Sequence, residues 1–193
     1  MNETRIFRRI NTIETKFIIN SIKTISTELL PIFDSLKELL YILINKSTTK
    51  NDYPSIYLIT DKLQKILNNI NFLNRIYDAG LYFGFIKRGE FYFSIEGVEY
   101  LYKNGIFTNF KLLHLNGNGE KSFLYGNNIL KKMVRKSPNN LKKEDFLLIL
   151  NNFDEIIGLG ISRVNNEILS NLKPSDVFAI NIEDKGQYLR RRQ

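Results

Sequence analysis

The residues best equipped for chemistry in this chain are a run of cations and the aromatic just before it. Lys131, Lys132, Arg135, Lys136, Lys142 and Lys143 follow one another with no acid until Glu144, and Tyr125 and Gly126 precede them. Lysines and arginines in such a run neutralise phosphates. Each neutralised phosphate releases counterions, so a nucleic-acid complex formed there weakens as salt rises. A solvated charged loop has the same composition, and both readings stand on these residues alone. Tyr125 has a π-face on which a base can stack. At helical spacing the alternative for it is core packing. Arg190-Arg191-Arg192 read equally as phosphate contacts or as a solubilising tail.

Other chemistries are excluded or unsupported. The chain has no cysteine, so disulfides and thiolate zinc sites are ruled out. His114 is the single histidine, which removes histidine metal clusters and dyads and reads as a polar position on a strand. The acids upstream of Thr108, from Glu14 to Glu99, form no recurring pair suited to general acid–base work. Gly158 and Gly160 lack a third glycine and open no helix, so they are not a dinucleotide fingerprint. A kinked strand is their first reading, and a close approach to an RNA backbone the second. We expect no cofactor, no metal and no enzymatic activity. No apolar run approaches a membrane span, and residues 1–11 lack the apolar core of an export signal. The net charge of +8 and the pI near 9.5 favour an anionic partner, most often nucleic acid.

The elements that must position these residues can be read from periodicity. The stretch from Ser122 to Lys132 reads as a short helix, with Ser122 as its N-cap and Gly126 inside it. Asn116-Gly117-Asn118-Gly119 reads as the turn before it. Upstream, residues 1–11 read as frayed and Thr12 to Thr27 as an amphipathic helix. Pro31 stops that helix, and Phe33 to Ile44 fits either a buried strand or a buried helix. A loop over 46–54, a strand over 55–60 and a helix capped by Thr60 or Asp61 follow, then a helical piece over 72–78. Two aromatic-rich strands flank Lys87-Arg88-Gly89 as a hairpin, and Ser94 caps a helix that closes at Asn104-Gly105. Downstream come strands over 107–115, 145–150 and 156–161. The chain closes with a hairpin of strands over 177–182 and 187–189.

The second half resembles a PUA domain, the RNA-binding module named after pseudouridine synthases and archaeosine transglycosylases. The resemblance rests on Phe123-Leu124-Tyr125-Gly126-Asn127-x-Ile129-Leu130-Lys131, on Ile157-Gly158-Leu159-Gly160, on Leu172-Lys173-Pro174 and on Asp184-x-Gly186-x-Tyr188-Leu189-Arg190. The Phe-Leu-Tyr-Gly-Asn form and the ending are most similar to the large-subunit ribosome biogenesis factors of the nuclear import protein seven family. Gly80-x-x-Phe83-Gly84, the hairpin and the helix with Glu99-Tyr100-Leu101 resemble that family's first domain. The chain departs from the pattern at Met133, where the family often has glycine.

The resemblance implies an α+β protein with an N-terminal α/β domain over 1–108 and a C-terminal PUA-type β-barrel over 109–193. It implies non-catalytic RNA binding in large-subunit biogenesis and pre-rRNA processing, by an archaeal-type, cytoplasmic member, with a nucleolar location as the alternative. The implied contacts are Tyr125, Gly126, Lys131, Lys132, Arg135, Lys136, Arg163, Lys173 and Arg190. The implied partners are ribosomal RNA or its precursor and ribosome assembly or exosome-type RNA-processing proteins, with the chain a monomer that engages no membrane. Two alternatives remain: a protein-interaction scaffold, with Tyr82, Phe83, Phe85, Phe91, Tyr92 and Phe93 as its patch, or a PUA-containing RNA-modification enzyme.

Overall fold

A computed structural model describes residues 5–45, 53–69, 76, 78–105 and 111–190. The chain divides into two compact units, Met1–Phe107 and Thr108–Gln193.

The first unit is a five-stranded antiparallel sheet whose strands follow chain order. They are β1 (Arg5–Arg9), β2 (Leu40–Asn45), β3 (Ser55–Leu58), β4 (Leu81–Lys87) and β5 (Glu90–Phe93). The expectation that the N-terminus is frayed fails from Arg5 onward, because β1 pairs with β2 from Arg5↔Asn45 to Arg9↔Tyr41. One residue decides it. Phe7 is 2% exposed and stacks on Tyr41 with centroids 5.2 Å apart. A lone aromatic among arginines carries little periodicity, so only the tertiary cluster reveals the strand.

Among the described residues, this unit also has four α-helices: α1 (Thr12–Ile25), α2 (Leu30–Leu36), α3 (Asp61–Asn68) and α4 (Ile95–Lys103). Helix α1 opens on a capping box between Asn11 and Glu14. Glu14 is buried and takes both arms of the Arg8 guanidinium, at 2.9 and 2.7 Å, plus the Asn11 N–H at 2.7 Å. Burial pushes its carboxyl up, but the Arg8 and Asn11 hydrogen bonds outweigh that and hold it below the usual range. Pro31 lies in the first turn of α2, where its missing N–H costs nothing. The ambiguous stretch from Phe33 to Ile44 splits into the end of α2, a 3-10 turn over Lys37–Leu39 and strand β2.

The hairpin is as expected. β4 and β5 close at Lys87↔Glu90 through Arg88 and Gly89, both left-handed with φ of 52° and 80°. Helix α1 packs on β5 and α4 on β4. The Phe91 N–H donates to Ser21 Oγ at 2.8 Å, so α1 satisfies a donor of the edge strand. The six-aromatic patch divides: Phe83, Phe91 and Phe93 are core, whereas Tyr92 is 37% exposed. Tyr53, Phe85 and Tyr92 form an open stack, with centroids 5.8 and 5.2 Å apart. The loop expected over 46–54 lies outside the described residues except at Tyr53 and Pro54. The helical piece over 72–78 does so except at Ile76 and Asp78.

The second unit is a six-stranded sheet in the order β7 (Ile129–Leu130), β11 (Val177–Asp184), β10 (Ile156–Ser162), β9 (Phe146–Leu150), β6 (Lys111–Leu115), β8 (Val134–Lys136). All pairs are antiparallel except β6 with β9. The two edge strands, β7 and β8, are consecutive in the chain and joined by the 3-10 turn Lys131–Met133 alone. That short link spans at most roughly 14 Å fully extended. It therefore draws the two sheet edges together, and the sheet curls into the nearly closed barrel that the resemblance implies. Leu113, Phe123, Ile129, Leu147, Ile149 and Phe178 are among its fully buried core. Combined helices and sheets make the fold α+β.

The helix expected from Ser122 to Lys132 and the expected closing hairpin are both overturned here. Helix α5 runs over Gly117–Leu124, so the supposed turn is its first turn and Asn116, not Ser122, is the N-cap. Asn116 accepts the Gly119 N–H, an interaction typically worth about 1 kcal/mol. Gly126 does not sit inside the helix. It follows the C-cap Tyr125 with φ of 90°, the left-handed position that ends helices. The closing hairpin is also absent. β11 continues to Asp184, and Gln187–Arg190 is a single helical turn, α6. Asp184 is 3% exposed and takes both arms of the Arg190 guanidinium at 3.0 and 2.9 Å. Gly186 is pressed on the Leu124 carbonyl, where a Cβ would collide. The chain must therefore turn back rather than extend as a strand.

Candidate nucleic-acid interface

The barrel seam is fixed on both sides by main-chain bonds. On the α5 side, Asn116 Nδ2 donates to the Lys132 carbonyl at 2.8 Å and the Asn116 N–H to the Met133 carbonyl at 2.9 Å. Gly119 lies so close to Met133 that a Cβ there would stand 2.7 Å from the Met133 Cβ. On the β11 side, the Lys131 N–H donates to the Asp176 carbonyl at 2.9 Å and the Lys132 N–H to the Pro174 carbonyl at 3.1 Å. These bonds fix the backbone of the seam on both sides. Lys132 is exposed, and Lys131 is half-buried with its Nζ 5.7 Å above the Phe178 ring.

Those bonds decide which of the expected contacts come together. Lys173 is exposed one residue from Pro174, the residue that Lys132 touches, and its N–H donates to Asp176 Oδ2 at 2.8 Å. Arg163 donates its N–H to the Phe178 carbonyl at 2.9 Å, and its exposed guanidinium pairs with Glu144 at 2.9 Å. Lys131, Lys132, Lys173 and Arg163 thus gather around the start of β11. Arg135 and Lys136 are exposed further along, on edge strand β8.

Tyr125, Gly126 and Arg190 form a third place, at the C-terminal end of α5. Tyr125 is 76% exposed, so the core-packing alternative fails and its ring is open to solvent. The Arg190 guanidinium is held in the fold by Asp184 and donates to the Leu124 carbonyl. A Cβ on Gly126 would stand 3.2 Å from it. Arg191 and Arg192 lie outside the described residues.

His114 is not the solvent-facing residue expected from a polar strand position. It is 8% exposed, with Nε2 3.1 Å from Asp154 Oδ1 and Nδ1 without a hydrogen-bond partner. Burial lowers its pKa most, Asp154 pulls it back up, and the Arg135 and Lys136 charges add to the lowering. Strand β10 shifts register between Leu159 and Gly160 against β11 and between Ile156 and Gly158 against β9, in keeping with a kinked strand, and Gly158 is also tightly packed. A Cβ there would strike the Glu183 carbonyl and approach the Phe123 ring to 2.5 Å, so β10 and α5 close on the bare backbone.

Two features went unread in the sequence. One is an open pocket of about 620 Å³ lined by Asn116, Gly117, Asn118, Lys132 and Met133. The other is Phe153, which is 82% exposed in the β9–β10 turn. Its signal was an aromatic set alone between Asn152 and Asp154. Among the described residues, no group of three or more histidines, aspartates or glutamates is placed to hold a metal ion. No helix among them is long and apolar enough to cross a membrane.

Comparison with known proteins agrees with this geometry. A UPF0113 protein of Archaeoglobus fulgidus is 35% identical over 112 residues, which cover 58% of this chain and 61% of that protein. The 60S ribosome subunit biogenesis protein NIP7 of Saccharomyces cerevisiae is 27% identical over 136 residues, covering 70% of this chain and 72% of that protein. Among solved structures, a hypothetical protein of Pyrococcus horikoshii shares the fold with a TM-score of 0.60 at 10% identity, over 95% of this chain and 99% of its own. A PUA domain protein of Aeropyrum pernix does so with a TM-score of 0.60 at 12% identity, over 96% and 89%. Residues 111–193 match the UPF0113 PUA domain, so the second unit is similar to that family's PUA domain.

Proposed function

We propose that this chain binds ribosomal RNA or its precursor without catalysing a reaction, and that it acts in assembly of the large ribosomal subunit. The observation that carries the reading is a PUA domain whose barrel seam is a backbone-anchored lysine pair, in a chain whose relatives are named as 60S biogenesis proteins. Lys131, Lys132, Lys173 and Arg163 hold phosphates at the seam, and Arg135 and Lys136 extend the cationic surface along β8. Tyr125 offers a ring beside Gly126. Arg190 acts as a structural clamp on that side, with its charge paired to Asp184. The partners are ribosome assembly or RNA-processing proteins, and the chain works as a cytoplasmic monomer.

The test is titration of a U- or A-rich single-stranded RNA at several salt concentrations, with the native chain and a variant carrying Lys131, Lys132, Arg135 and Lys136 all as alanine. Each lost phosphate contact lowers the log–log salt slope by about 0.7. An unchanged affinity and slope would remove the seam from the site. A second reading, a protein scaffold, is favoured by the open Tyr53–Phe85–Tyr92 stack on the first unit. Copurification before and after RNase treatment separates the two, since direct protein partners survive the nuclease.

A further inference from the structure

A single exposed apolar residue is ordinary on a protein surface. Phe153 is set apart by how it is held and by what surrounds it. Its turn is clamped by Asn151, which is 4% exposed. Asn151 Oδ1 accepts the Phe153 N–H at 2.9 Å and the Glu155 N–H at 3.0 Å, and its Nδ2 donates to Glu155 Oε2 at 2.8 Å. The main chain adds Asn151 N–H to the Glu155 carbonyl at 3.0 Å and Asp154 N–H to the Asn151 carbonyl at 3.3 Å. Asp154 itself is left-handed, with φ of 60°. The backbone of Phe153 is therefore committed to the turn, while its ring is left in solvent.

Polar and cationic side chains flank the turn that carries the ring. On one side, Asn152 Nδ2 would lie 3.9 Å from a Cβ on Gly117, which lines the open pocket with Asn116, Asn118 and Lys132. On the other, Arg135 stands 3.6 Å from Asp154, the residue after Phe153. Of the acids at this turn, Asp154 is engaged by that arginine and by His114, and Glu155 by the Asn151 amide.

We infer that Phe153 is a base-stacking residue. An unpaired base of the bound RNA lies on its ring, the adjoining phosphates lie against Lys132 and Arg135, and the amides of Asn118 and Asn152 face the nucleotide between them. A polyanion with flat, unstacked bases fits cations that flank a lone ring, and stacking of this kind tolerates any base. The inference rests on the RNA-binding reading above and names the part of the RNA, a single-stranded nucleotide, that this end of the barrel takes.

The experiment uses the full chain and a labelled single-stranded oligouridylate or oligoadenylate, with an RNA duplex in parallel. Phe153→Ala is expected to weaken single-strand binding about 5- to 100-fold, with the salt slope unchanged, because stacking releases no counterions. Duplex binding should stay as it is. Lys132→Ala should lower the slope by about 0.7. Phe153→Trp should keep the affinity and place the only indole of the chain at the site, so its fluorescence is quenched on binding. Because the ring is exposed, Phe153→Ala should melt with the native chain, which separates lost contact from lost fold.

If Phe153→Ala binds the single strand as the native chain does while Lys132→Ala weakens it, the inference falls and the RNA-binding reading stands. If Phe153→Ala keeps its RNA but loses an RNase-resistant protein partner, the ring is a protein contact and the inference is overturned. If the native chain binds neither RNA, the proposed function itself fails.

Discussion

Gly158 joins the position of α5 to the barrel, and replacing it tests that joint. A Cβ at 158 would meet the Glu183 carbonyl of the neighbouring strand, the Phe123 Cε1 at 2.5 Å and its Cζ at 2.7 Å. The carbonyl belongs to β11, opposite β10 in the register Gly158↔Asp184, and Phe123 is fully buried, so neither can move alone. Overpacking of this kind costs about 1–3 kcal/mol. Stiffening of the unfolded chain by alanine returns about 0.4–1 kcal/mol. With backbone as the obstacle, the upper part of the range applies, leaving Gly158→Ala less stable by about 1–2 kcal/mol. For a unit of this size that lowers the melting temperature by about 5–15 °C.

The assay is thermal unfolding by circular dichroism, with Phe123→Leu and the double variant completing a cycle. Leucine lacks the ring atoms that collide, so Gly158→Ala should cost less in the Phe123→Leu background than in the native one. RNA affinity measured well below the transition should be close to native. A Gly158→Ala chain that melts with the native one, or that loses RNA at full stability, would refute the packing account. The latter result would also restore the reading of Gly158 as a close approach to RNA.

Two further predictions concern charge. Glu14→Gln removes the Arg8 fork at the start of α1 and should destabilise the first unit by about 1–3 kcal/mol, read as a lower urea midpoint at constant slope. Because the folded carboxyl titrates below its unfolded value near 4.3, that stabilisation is present above this pH. It disappears as pH falls through the folded value, where native and variant should converge. His114 runs the other way. Its folded pKa lies below the unfolded value of about 6.5, so the unfolded chain binds more protons as pH falls through it. The second unit should therefore melt lower at about pH 5.5 than at about 7.5, and His114→Leu should reduce that difference. An identical pH dependence in both chains would show that His114 is not its source.

What the sequence determined on its own was whatever local pattern expresses. Thr12 to Thr27 has helical spacing, and the hairpin has aromatic-rich strands on either side of a connection that contains Gly89. The Phe-Leu-Tyr-Gly-Asn element marked the half that matches a PUA domain. What the tertiary structure alone decided was contact between distant residues. Strand β1 exists because Phe7 finds Tyr41, 34 positions on. The helix before the seam begins at Asn116 because that side chain also bonds Lys132, and glycines that look like a turn let it approach Met133. The last turn is helical because Arg190 must return to Asp184. The expected cations divide among three places because pairing with Pro174, Asp176 and Phe178, rather than order in the chain, sets which of them are neighbours. Exposure is likewise a tertiary quantity: by type Tyr125 and Phe153 look like core residues, and only a barrel already filled by Phe123, Ile149 and Phe178 leaves them outside.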